Sequence, residues 1–161
     1  MNQTTPSPGK SKRVAVYIYT NDTADNVVGT VLQMDHFSIL VSEQPDWILE
    51  GVYADIRNGK PAYESRPQFD ALMAKCREGK IDLIVTKSVF RFSKSLAETL
   101  HIISELAALP VPVHILFERQ NLITPLSEND RKNLAMLSAL DSPHSFDYIK
   151  PRKRRDTNER K

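Results

Sequence analysis

The sequence predicts an α/β protein of three layers, a mostly parallel sheet of four or five strands with helices on both faces. Three observations carry this expectation. Short β-branched and aromatic runs recur at residues 14–20 (VAVYIYT), 47–54 (WILEGVYA), 81–87 (IDLIVTK) and 111–117. Segments with apolar residues at helical spacing separate them, as crossover helices must when successive strands run parallel. The length of 161 residues suits one domain with a real core.

Each element has its own signal. Residues 14–20 read as a buried first strand after a polar lead-in. Asn26 is a candidate cap for a helix running to about Ser42, with Val28, Val31 and Leu32 in its turns, and Pro45 ends that region. The second strand, 47–54, leads into residues 55–65 (DIRNGKPAYES), which have no period and read as a mobile loop. Pro67 suits the first turn of the next helix; Phe69, Leu72, Met73 and Cys76 share its inner face, and Gly79 stops it. After the third strand, Ser95 and Glu98 form a capping box for a helix with Leu96, Leu100, Ile103 and Leu106 inside. The fourth strand, 111–117, is entered past Pro110 and Pro112, and residues 121–124 suggest a short edge strand. Ser127 with Asp130 opens a last helix through Leu134, Leu137 and Leu140, halted at Asp141-Ser142-Pro143. In such sheets functional groups gather beyond the carboxyl ends of the strands, which brings together the segments after Thr20, Ala54, Lys87 and Phe117.

Composition narrows the function classes. Hydrophobic content of 40% and charged content of 26% are ordinary for a globular protein. No apolar run approaches the roughly 20 residues of a membrane span, and residues 1–12 lack the apolar centre of a signal peptide, so a cytoplasmic location is expected. One cysteine, Cys76, excludes an internal disulfide framework and a cysteine-based zinc cage. His36, His101, His114 and His144 show no metal-ligand spacing, and with 5 glycines there is no Gly-rich phosphate loop. No metal and no cofactor is expected. The net charge of +2 is uneven: residues 150–161 hold seven Lys or Arg against two Asp or Glu, Lys10, Lys12 and Arg13 make the leading arm basic, and the body between is acidic. A basic arm (1–13), a folded body (14–140) and a basic disordered tail (141–161) follow as the expected organisation. Lys150, Arg152, Lys153, Arg154 and Arg155 are the tail's candidate DNA contacts, against the plainer reading of a solvated tail.

Residues 17–21 (YIYTN), Asp55 with Asn58-Gly59, Arg66-Pro67-Gln68-Phe69, residues 79–82 with Lys87, Ser88, Arg91, Phe92 and Lys94, and Phe117, Glu118 and Thr124 form five ordered motifs. Together they resemble the catalytic domain of the serine site-specific recombinase (resolvase/invertase) family, in the style of the large serine recombinases. The family's Tyr-x-Arg-x-Ser at the end of the first strand is matched by Tyr17, Ile18, Tyr19, Thr20 and Asn21. Its Asp and Ser-Gly loop resemble Asp55 with Asn58-Gly59, and its Arg-Pro-x-Phe resembles Arg66-Pro67-Gln68-Phe69. Gly-Lys-Ile-Asp followed by Lys-Ser-x-x-Arg-Phe-x-Arg is similar to residues 79–82 with Lys87, Ser88, Arg91, Phe92 and Lys94; Phe117, Glu118 and Thr124 match the closing elements. The resemblance implies a resolvase-like fold and DNA strand exchange in which a serine hydroxyl attacks a phosphodiester without a metal. Arginines then carry the charge that builds on the phosphate oxygens.

Carried over residue by residue, the resemblance implies that Arg66 and Arg91 keep arginines of that site and that Lys94 replaces a second arginine, with the charge but not the bidentate fork. Gln33 and Lys75 also match family positions. Two departures stand at the first strand. Asn21 occupies the nucleophile position, where a carboxamide cannot form the phosphoester, and Tyr19 replaces an arginine. A register shifted by one would make Thr20 the nucleophile, but residues 19 and 21 share a face and 20 points away. The plainer reading of Arg91 is a loop cation paired with Asp55 or Glu118. Ser88 lacks the context of a nucleophile elbow, and Cys76 reads as core.

Three functions follow as expectations: a degenerate, inactive recombinase domain associated with site-specific DNA recombination and integration on a mobile element; a working domain with an unusual nucleophile; or a non-catalytic DNA-binding or regulatory accessory acting through the tail. DNA is the expected partner, with an active serine recombinase or a second copy of the chain as a further one. The residues after the last helix are too few and too polar for a helix-turn-helix or zinc-binding module, so none is expected in this sequence.

Overall fold

A computed structural model describes residues 11–20, 24–57, 61 and 63–141. The apolar run at the start folds as β1 (Lys12–Thr20), two residues earlier than its hydrophobicity suggests. Lys12 and Arg13 therefore belong to the sheet and not to the leading arm. Arg13 is pinned there: Nε and Nη2 donate to the two carboxylate oxygens of Asp82 at 3.0 and 2.9 Å, and its backbone N–H adds a third bond at 2.9 Å.

The chain continues through α1 (Ala24–Ser42), β2 (Trp47–Ile56), α2 (Pro67–Arg77), β3 (Leu83–Thr86), a single 3-10 turn (Val89–Arg91), α3 (Leu96–Ala107), β4 (His114–Phe117), β5 (Leu122–Ile123) and α4 (Glu128–Asp141). The strands form one sheet in the order β2-β1-β3-β4-β5. β1, β2, β3 and β4 are parallel, and only the edge strand β5 runs antiparallel. This is the three-layer architecture that the sequence predicts.

Strand alternation divides the core in two. Val14, Val16 and Ile18 of β1, with Leu83 and Val85 of β3, pack against Phe37 and Val41 of α1. Ala15 and Tyr17, with Ile84, Ile115 and Phe117, face the opposite layer of α2, α3 and α4, represented by Leu72, Ile103 and Leu134. Each such side chain, fully buried, contributes about 1.5–3 kcal/mol. Tyr17, Phe69, Phe92 and Phe117 make a chain of edge-to-face rings with centroids 5.2 to 6.1 Å apart. This geometry sets the aromatic quadrupoles edge against face.

The helix ends follow their sequence signals. Pro67 occupies the first turn of α2. At its other end Gly79 takes φ +75, donates to Cys76 O at 3.0 Å, and lets Lys80 donate to Lys75 O at 3.1 Å. Only glycine adopts this Schellman turn without strain. Ser95 accepts from Glu98 N–H at 3.1 Å, while Glu98 reaches back one residue further than in a capping box, to Lys94 N–H at 3.1 Å. Ser127 and Asp130 cap α4 reciprocally at 2.9 and 3.1 Å.

Several expectations need correction. α1 begins at Ala24, so Asn26 lies inside the helix and is not its cap. Val28, Val31 and Leu32 are exposed, and the face toward the sheet is Thr30, Met34, Phe37 and Val41. Leu137 is also exposed. β4 starts at His114, because Pro112 has no N–H to give a ladder and Val111 lies at the surface. Among the described residues no helix is long and apolar enough to cross a membrane, and no cluster of His, Cys, Asp or Glu could hold a metal ion.

Candidate anion site at the carboxyl ends of the strands

A cavity of about 220 Å³ opens where β1, β3 and β4 end, lined by residues 17–20, Gln33, Thr86, Lys87, Ser88, Arg91 and Arg119. Its position follows from the topology. Parallel strands end on the same edge of the sheet, and the chain leaving β1 diverges there from the chains leaving β3 and β4. Three lining residues are cations and none is a carboxylate. The volume is below the roughly 300–1,000 Å³ of sites for drug-sized organic ligands, so one small anionic group fits this room better than an organic cofactor.

Tyr19 stands on the α2/α3 side of β1. Its hydroxyl accepts from Tyr63 N–H at 2.9 Å, and the two rings stack 4.6 Å apart. The Tyr63 hydroxyl donates in turn to Arg91 O at 3.1 Å. Thr20 points to the other face, where its Oγ1 shares a hydrogen bond of 2.8 Å with Thr30 Oγ1 of α1. The alternation that separates residue 20 from residue 19 therefore holds to the end of the strand.

Arg66 does not line the cavity, but its guanidinium lies 5.9 Å from the ring centroid of Tyr17, which does. The same guanidinium lies 3.8 Å from the Phe69 ring centroid and donates through Nη1 to Phe92 O at 2.8 Å. Beneath it, the buried carboxylate of Asp55 accepts from Tyr17 Oη at 2.9 Å and from the N–H groups of Gln68 and Phe69 at 3.0 and 2.9 Å. A β2 residue thus caps α2, whose own N-cap position, Arg66, makes no side-chain cap. Burial raises the Tyr17 phenol well above its ordinary range; the Arg66 charge opposes this and the Asp55 carboxylate reinforces it. Tyr17 remains a neutral donor. Glu118, the other carboxylate considered for Arg91, is paired with His36.

Of the candidate site residues singled out in the sequence, the fold brings Tyr19, Gln33 and Arg91 to the cavity, while Arg66 reaches the ring of Tyr17, one of its lining residues, without lining it. Lys75 on α2 and Lys94 before α3 are exposed and do not line it. Asn21, the Asn58-Gly59 pair, and Lys150, Arg152, Lys153, Arg154 and Arg155 lie outside the described residues. Sequence reasoning missed Arg119, Gln120 and Tyr63. Arg119 was within reach, since it falls two residues past the end of a predicted strand. Tyr63 was not, because nothing in a tyrosine announces its left-handed φ of 64.

The family description "Resolvase, N terminal domain" matches residues 21–160, and the chain belongs to this family. The fold is shared with catalytic domains of serine recombinases. The N-terminal catalytic domain of TP901-1 integrase is similar at TM-score 0.52 and 18% identity over 81% of this chain and 94% of that one. A resolvase family site-specific recombinase from Streptococcus pneumoniae is similar at TM-score 0.51 and 20% identity, covering 81% and 89%. The C-terminal catalytic domain of ISC1926 TnpA, an IS607-like serine recombinase, is similar at TM-score 0.53 and 10% identity, covering 85% and 93%. A comparison with characterised proteins by sequence gave no significant match.

Proposed function

We propose that this chain is a recombinase-type domain that binds a DNA phosphodiester but does not transfer it to a side chain of its own. It would act beside an active serine recombinase, or as a dimer, in site-specific recombination on a mobile element. The observation that carries the reading is a cation-lined cavity at the end of β1, supported by a sequence there that departs from the family pattern it resembles. Lys87, Arg91 and Arg119 line the cavity, while the sequence leaving β1 reads Tyr19-Thr20-Asn21 where the family has arginine and serine. Cations stabilise a bound phosphate whether or not a nucleophile is present. A carboxamide gives no stable phosphoester, and the Thr20 hydroxyl, although Thr20 lines the cavity, is engaged with Thr30.

The test is incubation with a supercoiled recombination site, followed by denaturing electrophoresis and a parallel binding titration. The expected result is binding that weakens in Arg91→Gln, with no covalent protein–DNA adduct. An adduct that disappears in Thr20→Ala would overturn the reading. The excess of seven Lys or Arg over two acidic residues in 150–161 favours a second reading, in which the tail is the main DNA contact. Under that reading, deleting 150–161 abolishes salt-sensitive binding and Arg91→Gln leaves it intact.

A further inference from the structure

The exits of β3 and β4 stay fastened to each other past the last paired strand residues, Thr86 and Phe117. Glu118 N–H donates to Thr86 O at 2.9 Å, and Arg119 N–H donates to Lys87 O at 2.7 Å. The Gln120 side chain closes the join: Oε1 accepts from Val89 N–H at 3.0 Å, and Nε2 donates to Ser88 Oγ at 3.1 Å. Ser88 Oγ accepts Phe90 N–H as well, at 3.2 Å, which fixes the turn that carries Arg91.

This clamp holds Lys87 and Arg119 as neighbours on adjacent chains, both lining the cavity together with Arg91. Like charges held close repel, and two free loops would splay to relieve them. Here the backbone bonds and the Gln120 amide prevent that. Among the described residues, neither Lys87 nor Arg119 makes a salt bridge. Glu118, the carboxylate preceding Arg119 in sequence, is engaged with His36. Cations preorganised against their own repulsion, facing a cavity without a carboxylate, mark an anion subsite.

We propose that Lys87 and Arg119 form a phosphate-binding pair that grips the nucleic-acid backbone. The pair moves the cationic pole of the cavity from the end of β1, where Tyr19 stands, to the exits of β3 and β4. This assignment rests on the reading given under Proposed function and names the residues that would hold the phosphodiester.

The test measures binding of the full chain to duplex DNA by fluorescence anisotropy across a salt series. Each phosphate contact contributes about 0.9 to the slope of log K against log salt. Lys87→Gln and Arg119→Gln should each lower the slope by about one and the double variant by about two, while Lys80→Gln, outside the cavity, leaves it unchanged. Both side chains are exposed, so the variants should keep the melting temperature of the parent. Slopes unchanged in both, with a lower slope in Arg91→Gln, overturn the pair and leave the phosphodiester reading intact. Slopes unchanged in all three overturn both. Inorganic phosphate is the second probe: stabilisation of the parent by phosphate that the double variant loses, with an unchanged DNA slope, overturns the nucleic-acid assignment in favour of free phosphate.

Discussion

Tyr19 holds Tyr63 in place: its hydroxyl accepts the Tyr63 N–H at 2.9 Å, with the two rings stacked 4.6 Å apart. Tyr63 has φ 64, a conformation rare for an aromatic residue and costly enough to need support. Support comes from this bond, from the stacking, from its own hydroxyl on Arg91 O at 3.1 Å, and from the Arg66 guanidinium 5.2 Å from its ring centroid. Tyr19 therefore acts on the β2–α2 connection.

Tyr19→Phe keeps the stack and removes the acceptor. The expected loss is about 0.5–1.5 kcal/mol, with faster amide exchange at Tyr63 while the β1 amides stay protected. Native-state hydrogen exchange checks this. Unchanged exchange at Tyr63 would mean that stacking alone sets the connection.

Asp55 ties three elements together, with β2 supplying the carboxylate, β1 the Tyr17 donor, and α2 two N–H groups. Asp55→Ala leaves the buried Tyr17 hydroxyl and two helix N–H groups without their acceptor and should destabilise the domain by about 3 kcal/mol. Asp55→Asn preserves shape but replaces one accepting oxygen with an NH2 donor and loses the charge that faces the helix N-terminus, and should lose about half as much. Urea denaturation reads both; equal losses would show that the remaining amide oxygen recovers nothing and that the charge and the second acceptor carry the whole effect.

The core carries an alkaline liability. Burial pushes the Cys76 thiol from its ordinary 9.0 up to about 12, the Arg77 charge opposing slightly. The Tyr17 phenol is raised in the same direction. Both are acids that the folded state keeps protonated after the unfolded chain has released its protons. The unfolded state then binds fewer protons, so stability falls as pH rises. The thiol's share of that stability is complete below pH 9.0 and is lost as pH approaches about 12. The slope is about 1 kcal/mol per pH unit for each group. Cys76→Ala should flatten the decline between about pH 9 and 10, where the phenol scarcely contributes. Urea midpoints at pH 7, 9 and 10 measure it, and an identical slope in the variant would contradict the assignment.

Much of this fold is legible because its punctuation is local. Pro67, Gly79, Ser95 and Ser127 sit where their helices begin or end, and the four apolar runs become four parallel strands. α1 misleads for a physical reason. Its inner face includes Thr30, a polar residue buried because Thr20 satisfies its hydroxyl, while Val28, Val31 and Leu32 point outward. Hydropathy periodicity thus selects the wrong face. The site divides in the same way. Tyr19 and Arg91 follow from strand ends and motif order, but the Gln120 clamp joins residues 31 and 32 positions apart, and local sequence carries no trace of such a pairing.

Arg66 and Arg91 differ in surroundings, and this separates their expected effects. Arg66 stacks at 3.8 Å on Phe69 and donates to Phe92 O at 2.8 Å, so it joins the start of α2 to the segment that follows the Arg91 turn. Arg91 lines the cavity itself. Arg66→Lys keeps the charge but loses the planar stack and its fixed donor. It should lower stability by about 1–2 kcal/mol through the lost cation–π contact and hydrogen bond. Arg91→Lys should weaken DNA binding. Thermal melts and anisotropy on the two variants decide the matter. A binding loss in Arg66→Lys equal to that in Arg91→Lys, at unchanged stability, would make Arg66 a direct phosphate contact instead of a brace outside the cavity.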